Sequence, residues 1–256
     1  MTRRLELMRG PHVAAYLSRS DAAILPLGPT EAHGLHLPLG CDHLIATATA
    51  VLTAETADAL VLPPFAFSWP GATAKLPGTI RIAPDFVQSA LIAVLDGALA
   101  AGFRRLALVA AHGPDEHLAT LVGRHFFERT GRPVAVHHAV PGRGTTARER
   151  ELAEADIAAE RADPGQGETS RLRAALEILG LPADLIDLDV PAARGTPQPA
   201  ALRDAMRRGG AGFFYSELPQ HIPTPRRSDP AVGRAYLEAT AAAIADSLAA
   251  MRELPP

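Results

Sequence analysis

Short apolar runs recur along this chain, each ended by glycine, proline or a polar cluster, and alanine-rich stretches with helical spacing lie between most of them. Residues 22–27 form the first run, closed by Gly28-Pro29, and 59–62 the second, closed by Pro63-Pro64. Residues 105–111 form a third, which stops at His112-Gly113, and 133–138 a fourth, bounded by Pro141-Gly142. A run this apolar and this short reads as a strand buried on both faces. The stretches 44–60, 84–101 and 118–128 carry leucine and valine at helical spacing and read as helices, the second ending at Gly102. Such alternation favours an α/β fold with three layers, helix, mostly parallel sheet and helix, whose functional groups gather at the carboxyl ends of the strands. The second half adds helices at 147–161, 168–179 and 229–251, with proline-rich loops at 182–199 and 219–230.

Composition narrows the class further. The 256 residues show no internal repeat or linker, so one domain spanning 1–256 is expected. At 47% hydrophobic and 21% charged, the chain has the material for a substantial core and does not read as disordered. A formal net charge of -3 gives no nucleic-acid surface, and apart from Lys75 the basic residues are scattered arginines and histidines. A single cysteine, Cys41, excludes an internal disulfide and fits a reducing compartment. Met1-Thr2-Arg3-Arg4 has the charge of a signal peptide without the apolar stretch, and no segment reaches membrane-spanning length. A cytoplasmic protein with no membrane partner is the expectation.

The chemistry concentrates where the first strand ends. Glu31, His33, His36 and Asp42 lie within twelve residues, and His112 ends the third strand. Glu31 and His33, two apart on an extended segment, project to one side. Carboxylate oxygen and imidazole nitrogen are ligands that zinc, manganese and iron accept together. Asp42 has two oxygens and so is the candidate to bridge two ions; its bland alternative is a cap for a helix beginning at His43.

The string Leu25-Pro26-Leu27-Gly28-Pro29-Thr30-Glu31-Ala32-His33-Gly34-Leu35-His36-Leu37-Pro38, followed by Asp42, resembles the signature of the creatininase family of metal-dependent amidohydrolases. Leu76-Pro77-Gly78-Thr79-Ile80, the strand leading to His112-Gly113, Gly167-Glu168-Thr169-Ser170 and Asp229-Pro230 match further family segments in order, from about residue 20 to 250. The resemblance implies one divalent ion held by Glu31, Asp42 and His112, and a second by His33 and Asp42. It further implies hydrolysis of a carbon–nitrogen bond in a small-molecule or peptide amide, and a homo-oligomer, commonly a hexamer. One or two ions of zinc, manganese or iron are the expected cofactors.

The chain departs from the family pattern at two places. Gly113-Pro114-Asp115 stands where the family has Gly-Gly-Asn or a ligand glutamate, and Pro114 cannot coordinate. The missing carboxylate is expected from Asp115, Glu116 or Glu168, with Glu168 favoured because it belongs to a matched motif. Asp163 stands where the family has its proton-transfer histidine, so catalytic roles fall to Glu168, His36 and Asp163, with His117, His137 and His138 as further candidates. Trp69, Thr79 and His138 are the candidate substrate contacts. Creatinine itself is not the expected substrate; a peptide-trimming or deformylating activity fits at least as well. The alternative is a catalytically impaired relative that binds a small ligand or partner and keeps its metal as structure.

Overall fold

The computed structural model describes residues 2–140, 144, 146–162, 166–190, 197–212, 215 and 227–254. Four parallel strands, β1 (Ala22–Leu27), β2 (Leu60–Val61), β3 (Arg105–Ala110) and β4 (Val134–His138), pair in the order β2-β1-β3-β4. Around them run α1 (Gly10–Leu17), α2 (Cys41–Ala57), α3 (Pro84–Ala100), α4 (Asp115–Thr130), α5 (Ala147–Ala162), α6 (Gln166–Leu179), α7 (Ala200–Arg207) and α8 (Pro230–Ala250). The expected α/β architecture is therefore present. None of these helices is long and apolar enough to cross a membrane.

Strand alternation sorts the core into two layers. Ala22 and Ile24 of β1 and Ala107 and Val109 of β3 face a cluster completed by Ile45, Leu172 and Ile244 of α2, α6 and α8. Ala23, Leu25 and Leu27, with Leu106, Leu108 and Ala110, face the opposite cluster, completed by Tyr16, Leu91 and Phe126 of α1, α3 and α4. Each fully buried leucine or isoleucine here contributes roughly 1.5–3 kcal/mol of burial free energy.

Pro26 lies inside the central strand β1, where a missing N–H is normally excluded. Its carbonyl accepts from Phe65 at 2.8 Å, so its nitrogen also faces the β2 side, and β2 has already ended at Val61.

Helix α2 is alanine- and threonine-rich, which lets it lie close to its neighbours. Its buried hydroxyls bond back to the preceding turn, Thr49 to the Ile45 carbonyl and Thr53 to the Thr49 carbonyl, each at 2.9 Å. Helix α8 starts at Asp229, whose carboxylate accepts the Ala231 N–H at 2.8 Å. A Cβ added to Gly233 of α8 would fall 2.1 Å from the Ser170 carbonyl oxygen and 2.7 Å from the Arg171 nitrogen. Bare backbone contact thus fixes α6 against α8.

The chain leaves β1 toward β2 on one side and leaves β3 toward β4 on the other. The crevice above β1 and β3 is accordingly the topological switch point, where open α/β sheets bind ligands.

Candidate metal centre

Three segments converge on that crevice. The irregular stretch after β1 supplies Glu31 and His33, the first turn of α2 supplies Asp42, and the second position past the end of β3 supplies His112. Helix α6 brings Glu168 in its first turn. Hydrogen bonds hold the stretch after β1 in shape: the Glu31 N–H donates to Leu39 at 2.9 Å, and the Ala32 N–H to the Thr79 hydroxyl at 3.0 Å. Glu31, His33, Asp42 and His112 are 4%, 5%, 1% and 7% exposed, burial that charged groups tolerate only in company.

Asp42 sits between two imidazoles. Its Oδ1 is 3.3 Å from His33 Nε2, and its Oδ2 is 3.3 Å from His112 Nδ1. Glu31 Oε1 lies 3.2 Å from His112 Nδ1, and Glu168 Oε1 lies 3.7 Å from His33 Nε2. The far nitrogen of each ring is occupied: His33 Nδ1 donates to the Glu31 carbonyl at 3.1 Å, and His112 Nε2 to the Trp69 carbonyl at 3.1 Å. These backbone acceptors fix each tautomer and turn the other nitrogen toward the carboxylates. Thr73 donates to Glu31 Oε2, so that carboxylate too is held from behind.

The electrostatics follow. Burial disfavours a charged His33, yet Asp42, Glu168 and Glu31 overcome it and push its pKa up to about 10. Burial likewise opposes a charge on His112, but Asp42 and Glu31 raise it well above the usual range. Burial would raise Asp42, whereas His33 and His112 hold it well below the usual carboxylate range. Asp115, fully buried at the start of α4 with Ser68 donating to one oxygen, is pushed up to about 6 mainly by burial.

The group fits a divalent cation. Two donors each about 2.1 Å from one ion stand roughly 3.4 Å apart, the spacing these atoms already have. Asp42 Oδ2 is buried and has the His112 ring at 3.3 Å as its neighbour, a loose contact that leaves it an acceptor a cation would satisfy. The ligand atoms fall into two sets that share Asp42, one of Glu31, Asp42 and His112 and the other of His33, Cys41, Asp42 and Glu168. In each set they lie within 4.8 Å of one another.

The family profile of the creatininases, described as creatinine amidohydrolase, matches residues 6–248. The chain belongs to the creatininase family. A mycofactocin precursor peptide peptidase from Mycobacterium tuberculosis is 38% identical over 106 residues, 38% of this chain and 42% of the relative. A 3-dehydro-scyllo-inosose hydrolase from Thermotoga maritima is 30% identical over 100 residues, 39% of this chain and 32% of the relative. These matches thus span less than half the length of either protein. Among solved structures, a manganese creatininase superposes with a TM-score of 0.67 at 22% identity, each chain covered in full. A mutant creatininase of Zn-Zn type does so with a TM-score of 0.69 at 21% identity, again over both whole chains. At these identities the likeness shows the fold.

Within this creatininase-family site the individual expectations can be placed. Asp42 does not cap its helix: α2 begins one residue before it, at Cys41, after Gly40, and the carboxylate turns to the histidines instead. Pro114 lines the cavity, and a carboxylate reaches His33 from α6 as Glu168. His36 stands apart from the cluster's ligand atoms: it is buried and bonded through Nε2 to Thr169 at 2.9 Å, behind Glu168 and away from the cavity wall. Trp69, Thr79 and His138 do not line the cavity either. Trp69 contributes its carbonyl to His112, Thr79 its hydroxyl to Ala32, and His138 is buried at the end of β4. His117 is exposed, and His137 bonds Ser247 at 2.9 Å. Asp163 lies outside the described residues. Thr73, Cys41 and Arg171 were not anticipated; only the spacing of Arg171 to Glu168, one helical turn, was there to be noticed.

Proposed function

We propose that this protein hydrolyses a carbon–nitrogen bond of a small amide or short peptide, using one or two divalent ions. The placement of Asp42, one oxygen toward each of two tautomer-fixed histidines, carries this reading. Glu31, Asp42 and His112 would hold one ion, and His33, Asp42 and Glu168 the other. A bound divalent ion supplies Lewis acidity, polarising an amide carbonyl and making water acidic enough to attack at neutral pH.

The chain's own residues supply the rest. Burial of Glu31, Asp42 and His112 keeps bulk water from the reacting centre, and the two backbone-bonded imidazoles keep their donor nitrogens aimed without rearrangement. Glu168 is the more open carboxylate, its side chain 22% exposed toward the cavity. In this reading it takes a proton from the attacking water and returns it to the departing nitrogen. Water oxygen joins the carbonyl carbon, the carbon–nitrogen bond breaks, and the nitrogen leaves as an amine carrying that proton.

The test is turnover of an amide panel, formamides, cyclic amides and dipeptides, by protein loaded in turn with zinc, manganese and iron. Hydrolysis that requires the ion and falls at least about a hundredfold in Glu168→Gln is the expected result. Stoichiometric metal without hydrolysis of any member would favour a structural ion in a binding protein.

A further inference from the structure

The metal centre leaves a buried acid beside it without a role. Asp115 opens α4 three residues after His112, is 0% exposed and does not line the cavity. Ser68, equally buried, donates its hydroxyl to Asp115 Oδ1, while Oδ2 has no hydrogen-bond partner among the described residues. A carboxylate buried on those terms costs stability, so its presence asks for a reason.

The contacts around it close a ring through His112. The Asp115 N–H donates to the His112 carbonyl at 3.1 Å, which ties the start of α4 to the strand exit. Ser68, held by the Asp115 carboxylate, is covalently next to Trp69, whose carbonyl accepts from His112 Nε2 at 3.1 Å. Asp115 therefore holds His112 twice: at its backbone and, through two residues of the loop between β2 and α3, at the far nitrogen of its ring. Pro70 strengthens the second hold, because a following proline restricts the backbone of Trp69 and so the direction of its carbonyl. His33 is held differently, its Nδ1 bonding the Glu31 carbonyl two residues away on its own segment.

Resting on the metal-centre reading above, we propose that Ser68 and Asp115 are positioning residues for His112: they keep the Trp69 carbonyl where it fixes the imidazole with Nδ1 toward Glu31 and Asp42. The tie acts on one ligand set. The ion held by Glu31, Asp42 and His112 depends on it directly, and the ion held by His33, Asp42 and Glu168 only through the shared Asp42.

The experiment follows the ring N–H protons of His112 and His33 by NMR of full-length protein labelled at the histidine ring nitrogens, assigned with His112→Gln and His33→Gln. Wild type, Ser68→Ala and Asp115→Asn are compared metal-free and loaded with zinc, which is diamagnetic. Wild type is expected to protect the His112 Nε2 proton from exchange. In Ser68→Ala that proton should exchange at least about tenfold faster, with the His33 Nδ1 proton unchanged, and zinc affinity should fall about 10- to 100-fold at one site. Asp115→Asn keeps an oxygen for Ser68 to donate to and should stay near wild type. An unprotected His112 Nε2 proton in wild type overturns the proposal, a result that stands whether or not the variants fold. So does a Ser68→Ala protein that melts lower yet keeps that proton protected, since the tie then only closes the loop. Asp115→Asn matching Ser68→Ala makes charge rather than the hydrogen bond the cause and overturns it equally. If wild type binds no zinc, the metal-centre reading fails, and the metal-free spectra still decide on the tie. Loss of protection confined to His112 in Ser68→Ala supports it, and equal spectra overturn it.

Discussion

At the amino end of the sheet, acids meet arginines. Asp21 pairs with Arg105 at 2.5 Å, and Asp58 with Arg3 at 2.6 Å and with Arg19. At the carboxyl end, Glu31, Asp42 and Glu168 meet one another with imidazoles between them. The first set is partly solvated, with the Asp21 and Asp58 side chains 37% and 34% exposed, and a guanidinium neutralises each acid permanently. The second is buried, and its cations are groups that can give up a proton. Acidic residues alone do not distinguish the two ends. What separates the two clusters is the partner: an imidazole can give up its proton to an entering metal ion, and a guanidinium cannot.

Breaking the carboxyl end should have the largest effect. Asp42→Asn removes the carboxylate common to both ligand sets, so metal content by elemental analysis should fall close to zero and turnover by about a thousandfold or more. Retention of full metal in this variant would sink the shared-ligand arrangement.

Proton exchange sharpens the contrast next. His33 and His112 hold their protons at neutral pH in the metal-free protein, and an entering ion must displace them. Metal affinity should therefore rise with pH, about tenfold per unit for each proton displaced, with proton release visible in buffers of different ionisation enthalpy. Metal-free stability runs the other way. The folded His33 value of about 10 lies above the unfolded value of about 6.5, so its contribution is complete below the latter and is lost as pH rises through the former. Melting curves that stay flat from pH 6.5 to 10 would contradict it.

A smaller effect is expected one bond behind the ligands. Thr73→Val releases Glu31 Oε2 and should weaken metal binding by about tenfold, near the low end for lost supporting contacts. Smallest of all, Asp21→Asn at the amino end should cost no more than about 0.5–1 kcal/mol by denaturant melts and leave metal content unchanged.

Much of this contrast was legible from the chain, and its limits are physical. The strands at 22–27 and 105–111 announced themselves because a strand buried on both faces must be apolar throughout. Glu31, His33, Asp42 and His112 stood out because their residue types are improbable beside such strands without a shared purpose. Helix α1 was not anticipated; it is short, begins after Arg9 with no side-chain cap, and holds its place through Tyr16 in the core. Helix α7, with no buried residue of its own, left no core pattern to read. The roles of Thr73 and Trp69 depend on a loop folding over the crevice from forty residues away, and Trp69 acts through a carbonyl that any residue would supply. For His36 the residue type and position were legible, while the contact its ring makes with Thr169, more than a hundred residues away, was not.

Gly28, where β1 ends, bears on how readily this site can be altered. A Cβ there would meet the Asp42 Cβ at 2.6 Å and the His43 backbone nitrogen at 2.7 Å. The start of α2 therefore rests directly on the strand exit, with main chain as the spacer. Ligand geometry is consequently inherited from the scaffold, while the cavity walls at Ala32, Ala72 and Val140 are ordinary side chains. The two can drift separately: wall positions are open to stepwise change, and position 28 admits no substitution that leaves Asp42 where it is.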